Sequence, residues 1–278
     1  MDDVMAPKPL SSAMRIGMVG IHGPEAAATL QVLLEAGATI TAWSHNRDSS
    51  WAKRLSRRGV TIHTLSKRAA RAGATVQIPA LDWLLIFPGN RLGAAPPDLE
   101  MIPPSYWPRL PGRLVQLVPA GSPHGPMRSS TDRPVIALPT ALVLERWLNA
   151  RMRKAIRRGI LPFPQHRDDA FPLIATHEIA EVIESMCSAK LGVEQAVSVL
   201  SGQWIPLPLV LAACRSQVNR PVRHRHRSPT VIDFRMGREM GLMARWAIES
   251  RPRTPHSDGD WEASFHAATL DGLRRLPW

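Results

Sequence analysis

Short apolar runs alternate with amphipathic segments along the first 160 residues of the chain. The first run ends in Gly20, and Leu30, Leu33 and Leu34 in the next segment share one helical face, which ends at Gly37. Five further runs have the continuous apolar character of buried strands: Ala38–Trp43, Val60–Leu65, Asp82–Phe87, Arg113–Val118 and Pro134–Leu138. Strands of this kind separated by helices are typical of a parallel sheet that is covered on both faces, so we predict a doubly wound α/β fold.

The pattern changes in the second half of the chain. We predict one helix over residues 142–159, a helix from His177 with Thr176 as its N-cap, and a strand over Ala196–Leu200. The alternating His and Arg residues of Pro221–Arg227 indicate an exposed edge strand. The predicted organisation is a leader over residues 1–13, a sheet domain over 14–160, and a C-terminal cap region over 161–278 that is interleaved with the sheet.

The 278 residues include 35 Lys and Arg against 23 Asp and Glu, which gives a net charge of +12. Such a field attracts polyanions, including nucleic acid, acidic membranes and phosphorylated small molecules. Two cysteines, Cys187 and Cys214, are too few for a disulfide framework and are predicted to be buried. No apolar stretch is long enough to span a bilayer and no secretory signal is visible, so we expect a cytoplasmic protein.

A glycine-containing turn between the first strand and the first helix offers the clearest candidate chemistry. Gly20, Ile21, His22 and Gly23 form this turn, and Ala26 completes a G-x-x-G-x-x-A spacing. Glycines permit a tight turn and close approach of a diphosphate, while the positive end of the helix dipole attracts the anion. The spacing therefore predicts a dinucleotide site at this turn.

The residues after the second strand bear on which dinucleotide is bound. Ser44, His45, Asn46 and Arg47 stand where a carboxylate would bind a ribose 2′-hydroxyl. Basic and hydroxyl groups suit a 2′-phosphate instead, so the sequence favours NADP over NAD.

These segments together resemble the NmrA-like, atypical branch of the short-chain dehydrogenase/reductase superfamily, from Arg15 onward. The resemblance is carried by the order and spacing of five segments: Gly20–Ala26, Asp82–Pro88, Val135–Thr140, Ile174–Ala180, and Leu200–Gly202 with Pro221–Val222. It implies a Rossmann-type NAD(P)-binding domain over residues 14–160, with Phe87, Pro88 and Pro139 at the cofactor. The first 90 residues also resemble the hydroxyisobutyrate dehydrogenase and imine reductase group, although that group has Gly where this chain has His22.

The superfamily's proton-donating Tyr-x-x-x-Lys pair has no counterpart where the resemblance would place it. Between Val118 and Pro134 there is neither Tyr nor Lys, and Tyr106 is the chain's single tyrosine. Ser122 matches the superfamily's Ser or Thr after strand five, and His124 is a second candidate proton donor. We therefore expect either a reductase of a hydrophobic carbonyl, imine or enone, or a non-catalytic NADP-binding sensor or partner subunit. A third, more distant reading is an interaction protein that keeps only the fold.

Two other arrangements of charged residues suggest different kinds of site. His177, Glu181 and Glu184 share a helical stripe that could hold a metal, but they lack the zincin pattern, and solvated helix surface is the better interpretation. Three basic runs could contact a phosphodiester backbone: Lys53–Arg58, Arg151–Arg158 and Arg220–Arg227. Because aromatic residues do not interleave with them, the sequence argues against nucleic acid and favours a small hydrophobic substrate, with a protein partner as the alternative.

Overall fold

The computed structural model describes residues 14–44, 49–64, 80–88, 113–122, 135–164 and 170–249. The described strands are β1 Arg15–Val19, β2 Thr39–Ser44, β3 Thr61–Thr64, β4 Trp83–Ile86, β5 Leu114–Val118, β6 Val135–Pro139, β7 Leu142–Val143, β8 Ile160–Phe163, β9 Ala170–Ile174, β10 Gln203–Pro206 and β11 Arg223–His226. The described helices are α1 Pro24–Glu35, α2 Ser50–Arg57, α3 Leu144–Trp147, α4 Ala150–Arg157, α5 Thr176–Cys187, α6 Val193–Leu200, α7 Leu207–Val218, α8 Pro229–Met236 and α9 Arg238–Glu249. The predicted leader lies outside the described residues.

The chain divides into two compact units. The first contains the described residues within Met1–Val118, Pro126–Leu138 and Ile179–Ala196. The second contains those within Pro119–Gly125, Pro139–Glu178 and Val197–Trp278. The chain therefore passes between the units several times.

The first unit is built on a six-stranded parallel sheet in the order β3-β2-β1-β4-β5-β6. Parallel pairing is seen directly between β1 and β2, β1 and β4, β2 and β3, and β4 and β5. The chain winds outward in one direction from β1 and in the other from β4, which confirms the predicted doubly wound α/β fold. In such sheets the binding crevice lies beyond the carboxyl ends of the strands, at the point where the winding direction reverses.

The residues of α1, the helix at that reversal point, explain where it begins, which side it buries and where it ends. Pro24 stands in the first turn of α1, where its fixed φ suits the helix and its missing N–H costs no internal hydrogen bond. Leu30 and Leu33 of this helix are buried against the sheet. Gly37 follows the helix at φ +83°, in the left-handed conformation that the sequence predicted for the helix end.

The second unit contains two small sheets among its described residues. One has the order β10-β9-β7, with β9 antiparallel to β10 and parallel to β7. The other pairs β8 with β11 in parallel, with Ile160 opposite Arg223 and Pro162 opposite Arg225. The basic segment after Pro221 is thus a strand that is mostly exposed, as the sequence predicted.

The prediction of one helix over residues 142–159 was wrong, because the segment is divided into β7, α3 and α4. Asn149 separates the two helices, since its side-chain oxygen accepts hydrogen bonds from the amides of Arg151 and Met152, both at 3.0 Å. An Asn side chain in this role starts a new helix and competes with continuation of the preceding one.

The prediction of a strand over Ala196–Leu200 was also wrong. These residues belong to α6, and Ala196 and Leu200 are both fully buried four positions apart on one helical face. Thr176 is the first residue of α5, and its hydroxyl donates to the Glu145 carboxylate at 2.8 Å. The amide of Thr176 also donates to Glu145, at 3.1 Å, and the amide of Ala175 donates to Glu178 at 2.7 Å. Carboxylates therefore accept from the amides at this helix start, and Thr176 is not the N-cap that the sequence predicted.

None of the helices in the described part of the chain is long and apolar enough to cross a membrane.

Candidate functional site

The turn between β1 and α1 adopts the backbone conformation that the sequence predicted from its first glycine. Gly20 directly follows β1 and has φ +76°, a conformation that L side chains rarely adopt. Gly23 is the N-cap of α1 and has an extended backbone with φ −83°, so its conformation does not require glycine. Both glycines are buried.

The first turn of α1 contains a buried acid that the sequence analysis did not single out. Glu25 is 0% exposed, and the partial positive charge at a helix N-terminus favours a carboxylate in this position. Ala26, also fully buried, lets the helix pack against the sheet.

The neighbouring strands bring three of the predicted residues to the same edge of the sheet. The amide of Phe87 donates to the carbonyl of Val19 at 2.9 Å, which joins the end of β4 to the residue before Gly20. Pro88 follows and is buried. On the other side of β1, Ser44 is the last residue of β2 and is also buried.

His22 lies at the exposed tip of the turn and contacts an aromatic residue that the sequence analysis missed. Its ring centroid is 4.6 Å from that of Trp51, and the two ring planes are inclined at 41°. Trp51 belongs to the first turn of α2, which begins shortly after the carboxyl end of β2. The feature of the sequence that could have drawn attention to Trp51 is its position as an aromatic residue at the start of an otherwise basic helix. The pair provides an aromatic surface between the glycine turn and α2.

The first unit thus brings together seven of the eleven predicted cofactor residues: Gly20, Ile21, His22, Gly23, Ser44, Phe87 and Pro88. His45, Asn46 and Arg47 lie outside the described residues, as does His124. Ser122 and Pro139 are described and are grouped with the second unit. The amide of Ser122 donates to the carbonyl of Pro119 at 3.0 Å, in a turn after β5.

The helical stripe of His177, Glu181 and Glu184 is the metal site that the sequence offered as an alternative. No group of three His, Cys, Asp or Glu side chains in the described part of the chain is arranged to hold a metal ion. His177 and Glu181 are exposed, and Glu184 forms an ion pair with Lys190 at 3.1 Å.

Comparison of the fold with solved structures finds NmrA, a negative transcriptional regulator. Its complex with NAD has a TM-score of 0.62 at 12% sequence identity, covering 96% of this chain and 96% of NmrA. This chain has the fold of NmrA. The NmrA complex with NADP gives a TM-score of 0.61 at 13% identity, again with 96% of each chain covered. An NADPH-dependent quinone oxidoreductase from Escherichia coli gives 0.57 at 14% identity, covering 94% of this chain and 95% of that protein.

No known family model matches the sequence of this chain, and no curated protein sequence matches it either. At 12–14% identity the likeness is one of fold. This confirms the fold that the NmrA-like resemblance implied.

Proposed function

We propose that this chain binds NADP(H) at the glycine turn and uses it to reduce a hydrophobic carbonyl, imine or enone. The observation that carries the proposal is Gly20, held at φ +76° between β1 and α1 at the reversal point of a sheet with strand order 3-2-1-4-5-6. A diphosphate at this position receives backbone amides and the helix dipole without a side chain intervening. Two NmrA complexes with this fold contain NAD and NADP respectively, which supports a nicotinamide dinucleotide.

The choice of NADP over NAD depends on charge at the end of β2. The strand ends at Ser44, and the following residues include His45 and Arg47, with Asp48 further along. A hydroxyl and a guanidinium suit a 2′-phosphate, whereas a carboxylate directly after the strand would repel it. The His22 and Trp51 rings lie on the path between the turn and α2, where we place the adenosine.

The bound NADPH would supply a hydride to the electrophilic carbon of the substrate. The remaining requirement is a proton for the oxygen, nitrogen or adjacent carbon that receives the electron pair. With no Tyr-x-x-x-Lys pair in the chain, we propose Ser122 or His124 as the group that delivers it.

The alternative is an NADP-binding protein without catalysis, which senses the cofactor or serves as a partner subunit. The specific observation in its favour is that Tyr106 is the chain's one tyrosine and has Leu110, not Lys, four positions later. NmrA itself is described as a negative transcriptional regulator.

Fluorescence titration with NADPH and NADH tests the cofactor. We expect Arg47→Ala to weaken NADPH binding more than NADH binding, because only NADPH carries the 2′-phosphate. Arg57→Ala, at the far end of α2, is the matched control and should leave both affinities unchanged. Equal losses for the two nucleotides in Arg47→Ala would refute the 2′-phosphate assignment.

A panel of apolar carbonyls, imines and enones, followed at the nicotinamide absorbance, separates the two functions. Turnover of any member supports the reductase, and its loss in His124→Ala or Ser122→Ala with unchanged NADPH affinity identifies the proton donor. Tight NADPH binding without turnover across the panel favours the sensor.

A further inference from the structure

Two of the three basic runs in the sequence come together in the second unit. Parallel pairing of β8 with β11 brings the strand after Pro221 alongside the strand that follows α4. Six cationic side chains and six largely apolar residues then line one cavity of about 390 Å³: Arg151, Lys154, Ala155, Arg158, Ile160, Pro162, Arg225, Arg227, Val231, Ile232, Arg235 and Met236. We call this the basic cavity. It does not include any residue assigned above to the dinucleotide site.

The cationic side chains that line the basic cavity come from three elements or the residues directly after them, α4, β11 and α8. Arg151 and Lys154 are three positions apart on α4, and Arg158, the C-cap residue, follows four positions later, so the three continue one stripe of the helix surface. Arg225 and Arg227 are two positions apart at β11, which points both side chains to the same face. Arg235 completes the set from the last turn of α8.

No carboxylate neutralises these six charges in the part of the chain that the structure describes. The residues lining the basic cavity include neither Asp nor Glu, and none of its six cations forms an ion pair with a described acid. Other arginines of the second unit are paired: Arg245 with Asp233 at 3.3 Å, and Arg146 with Glu239 at 3.2 Å. The nearest acid on α8, Asp233, therefore serves a cation outside the cavity.

The clustered charges repel one another. Partial burial and the charges of Arg225 and Arg235 lower the pKa of Arg227 below its usual range. An anion in the basic cavity would relieve this repulsion, and bound phosphate groups accept hydrogen bonds from guanidinium groups in pairs.

The size and floor of the basic cavity indicate what kind of anion fits. A volume of about 390 Å³ lies at the lower end of the range for small-molecule sites. Its floor is apolar, with Ile232 only 1% exposed and Ile160 and Pro162 beside it. Six cations around an apolar floor suit an organic molecule with several phosphate groups better than a long phosphodiester backbone.

We propose that the basic cavity binds an organic ligand that carries two or more clustered phosphate groups. The proposal is independent of the dinucleotide site, because it concerns different residues in the other unit. Inorganic tripolyphosphate is the charge probe, ATP is the probe that adds an organic part, and a 20-nucleotide oligo(dT) tests nucleic acid as the other source of phosphates.

Isothermal titration of these probes into the full chain and two double variants tests the proposal. Arg225→Gln with Arg235→Gln removes two cations from the basic cavity. The matched control, Arg223→Gln with Arg238→Gln, removes two exposed cations that do not line it, so both variants keep the same net charge. We expect tripolyphosphate and ATP to bind the wild type and the control with similar affinity. Their affinity for the cavity variant should be about tenfold weaker, because the variant loses roughly two exposed ion pairs with the phosphates.

Thermal unfolding provides a second readout. Tripolyphosphate should raise the melting temperature of the wild type and of the control, and raise that of the cavity variant much less. Absence of tripolyphosphate binding to the wild type, or equal weakening in both variants, would overturn the proposal. Binding of oligo(dT) that is lost in the cavity variant, without binding of tripolyphosphate or ATP, would also overturn it and identify nucleic acid as the ligand.

Discussion

Gly20→Ala is the substitution that most sharply separates the binding role of the glycine turn from its structural role. Gly20 has φ +76°, and an L side chain in this region costs roughly 1–2 kcal/mol. Gly37 provides the matched control, since it has φ +83° and an added Cβ would meet nothing within 4 Å. Gly37→Ala therefore carries the same backbone penalty at the opposite end of α1, away from the turn.

Both variants should lose stability, Gly20→Ala at least as much as Gly37→Ala because Gly20 is buried and Gly37 is exposed, and the two should differ in binding. For each, about 1–2 kcal/mol corresponds to a fall in melting temperature of roughly 2–8 °C for a chain of this size. In Gly20→Ala, the backbone can relieve its strain only by rotating the amides at the start of α1 away from the diphosphate. Loss of two hydrogen bonds to a charged group, at about 1.5 kcal/mol each, weakens NADPH binding more than a hundredfold.

Thermal melts and NADPH fluorescence titrations of the wild type, Gly20→Ala and Gly37→Ala supply both quantities. Gly37→Ala should bind NADPH as the wild type does. If Gly20→Ala shows the stability loss of the control and yet binds NADPH within about threefold of the wild type, the turn does not hold the diphosphate and the reasoning fails.

Three further predictions concern stability and reactivity. Burial raises the pKa of both Cys187 and Cys214 to about 12, so neither thiol should react with a disulfide reagent at pH 8 until urea unfolds the protein. Hydrogen bonds from the backbone amide and side chain of Arg15 lower the pKa of Asp82 in the folded protein. The ionised Asp82 carboxylate therefore stabilises the fold at any pH above the pKa that Asp82 has in the unfolded chain, and this stabilisation is lost as the pH falls through the lowered pKa of the folded state. Urea unfolding should accordingly show Asp82→Asn to be less stable than the wild type at pH 7, with the difference shrinking below about pH 4; a constant difference would contradict this. A Cβ on Gly17 would lie 2.7 Å from the half-buried Leu81 side chain and 2.9 Å from the buried side chains of Leu84 and Trp43, so Gly17→Ala should destabilise the protein by about 1–3 kcal/mol in the same assay.

The first unit was predictable because its signals are local. Most strands of its sheet, such as β4 and β5, are short apolar runs, and two glycines between a strand and a helix indicate the turn at Gly20. The sequence did not reveal the contact between His22 and Trp51, because an aromatic residue at the start of a basic helix gives no indication of which loop it will contact.

The second unit was less predictable because its arrangement depends on distant pairings. The run Ala196–Leu200 is rich in valine and reads as a strand, but burial of two residues four positions apart makes it a helix. Asn149 divides a segment whose apolar pattern looks continuous. The basic cavity depends on the pairing of β8 with β11, and nothing near Ile160 or Arg223 in the sequence specifies that partner.

A crystal structure of the protein soaked with NADP⁺ tests the central claim most directly. The account predicts electron density for the diphosphate against the backbone amides between Gly20 and Ala26, with the adenosine directed toward Trp51. A turn that stays empty at saturating NADP⁺, or that is covered by the His22 ring and Pro24, would contradict it.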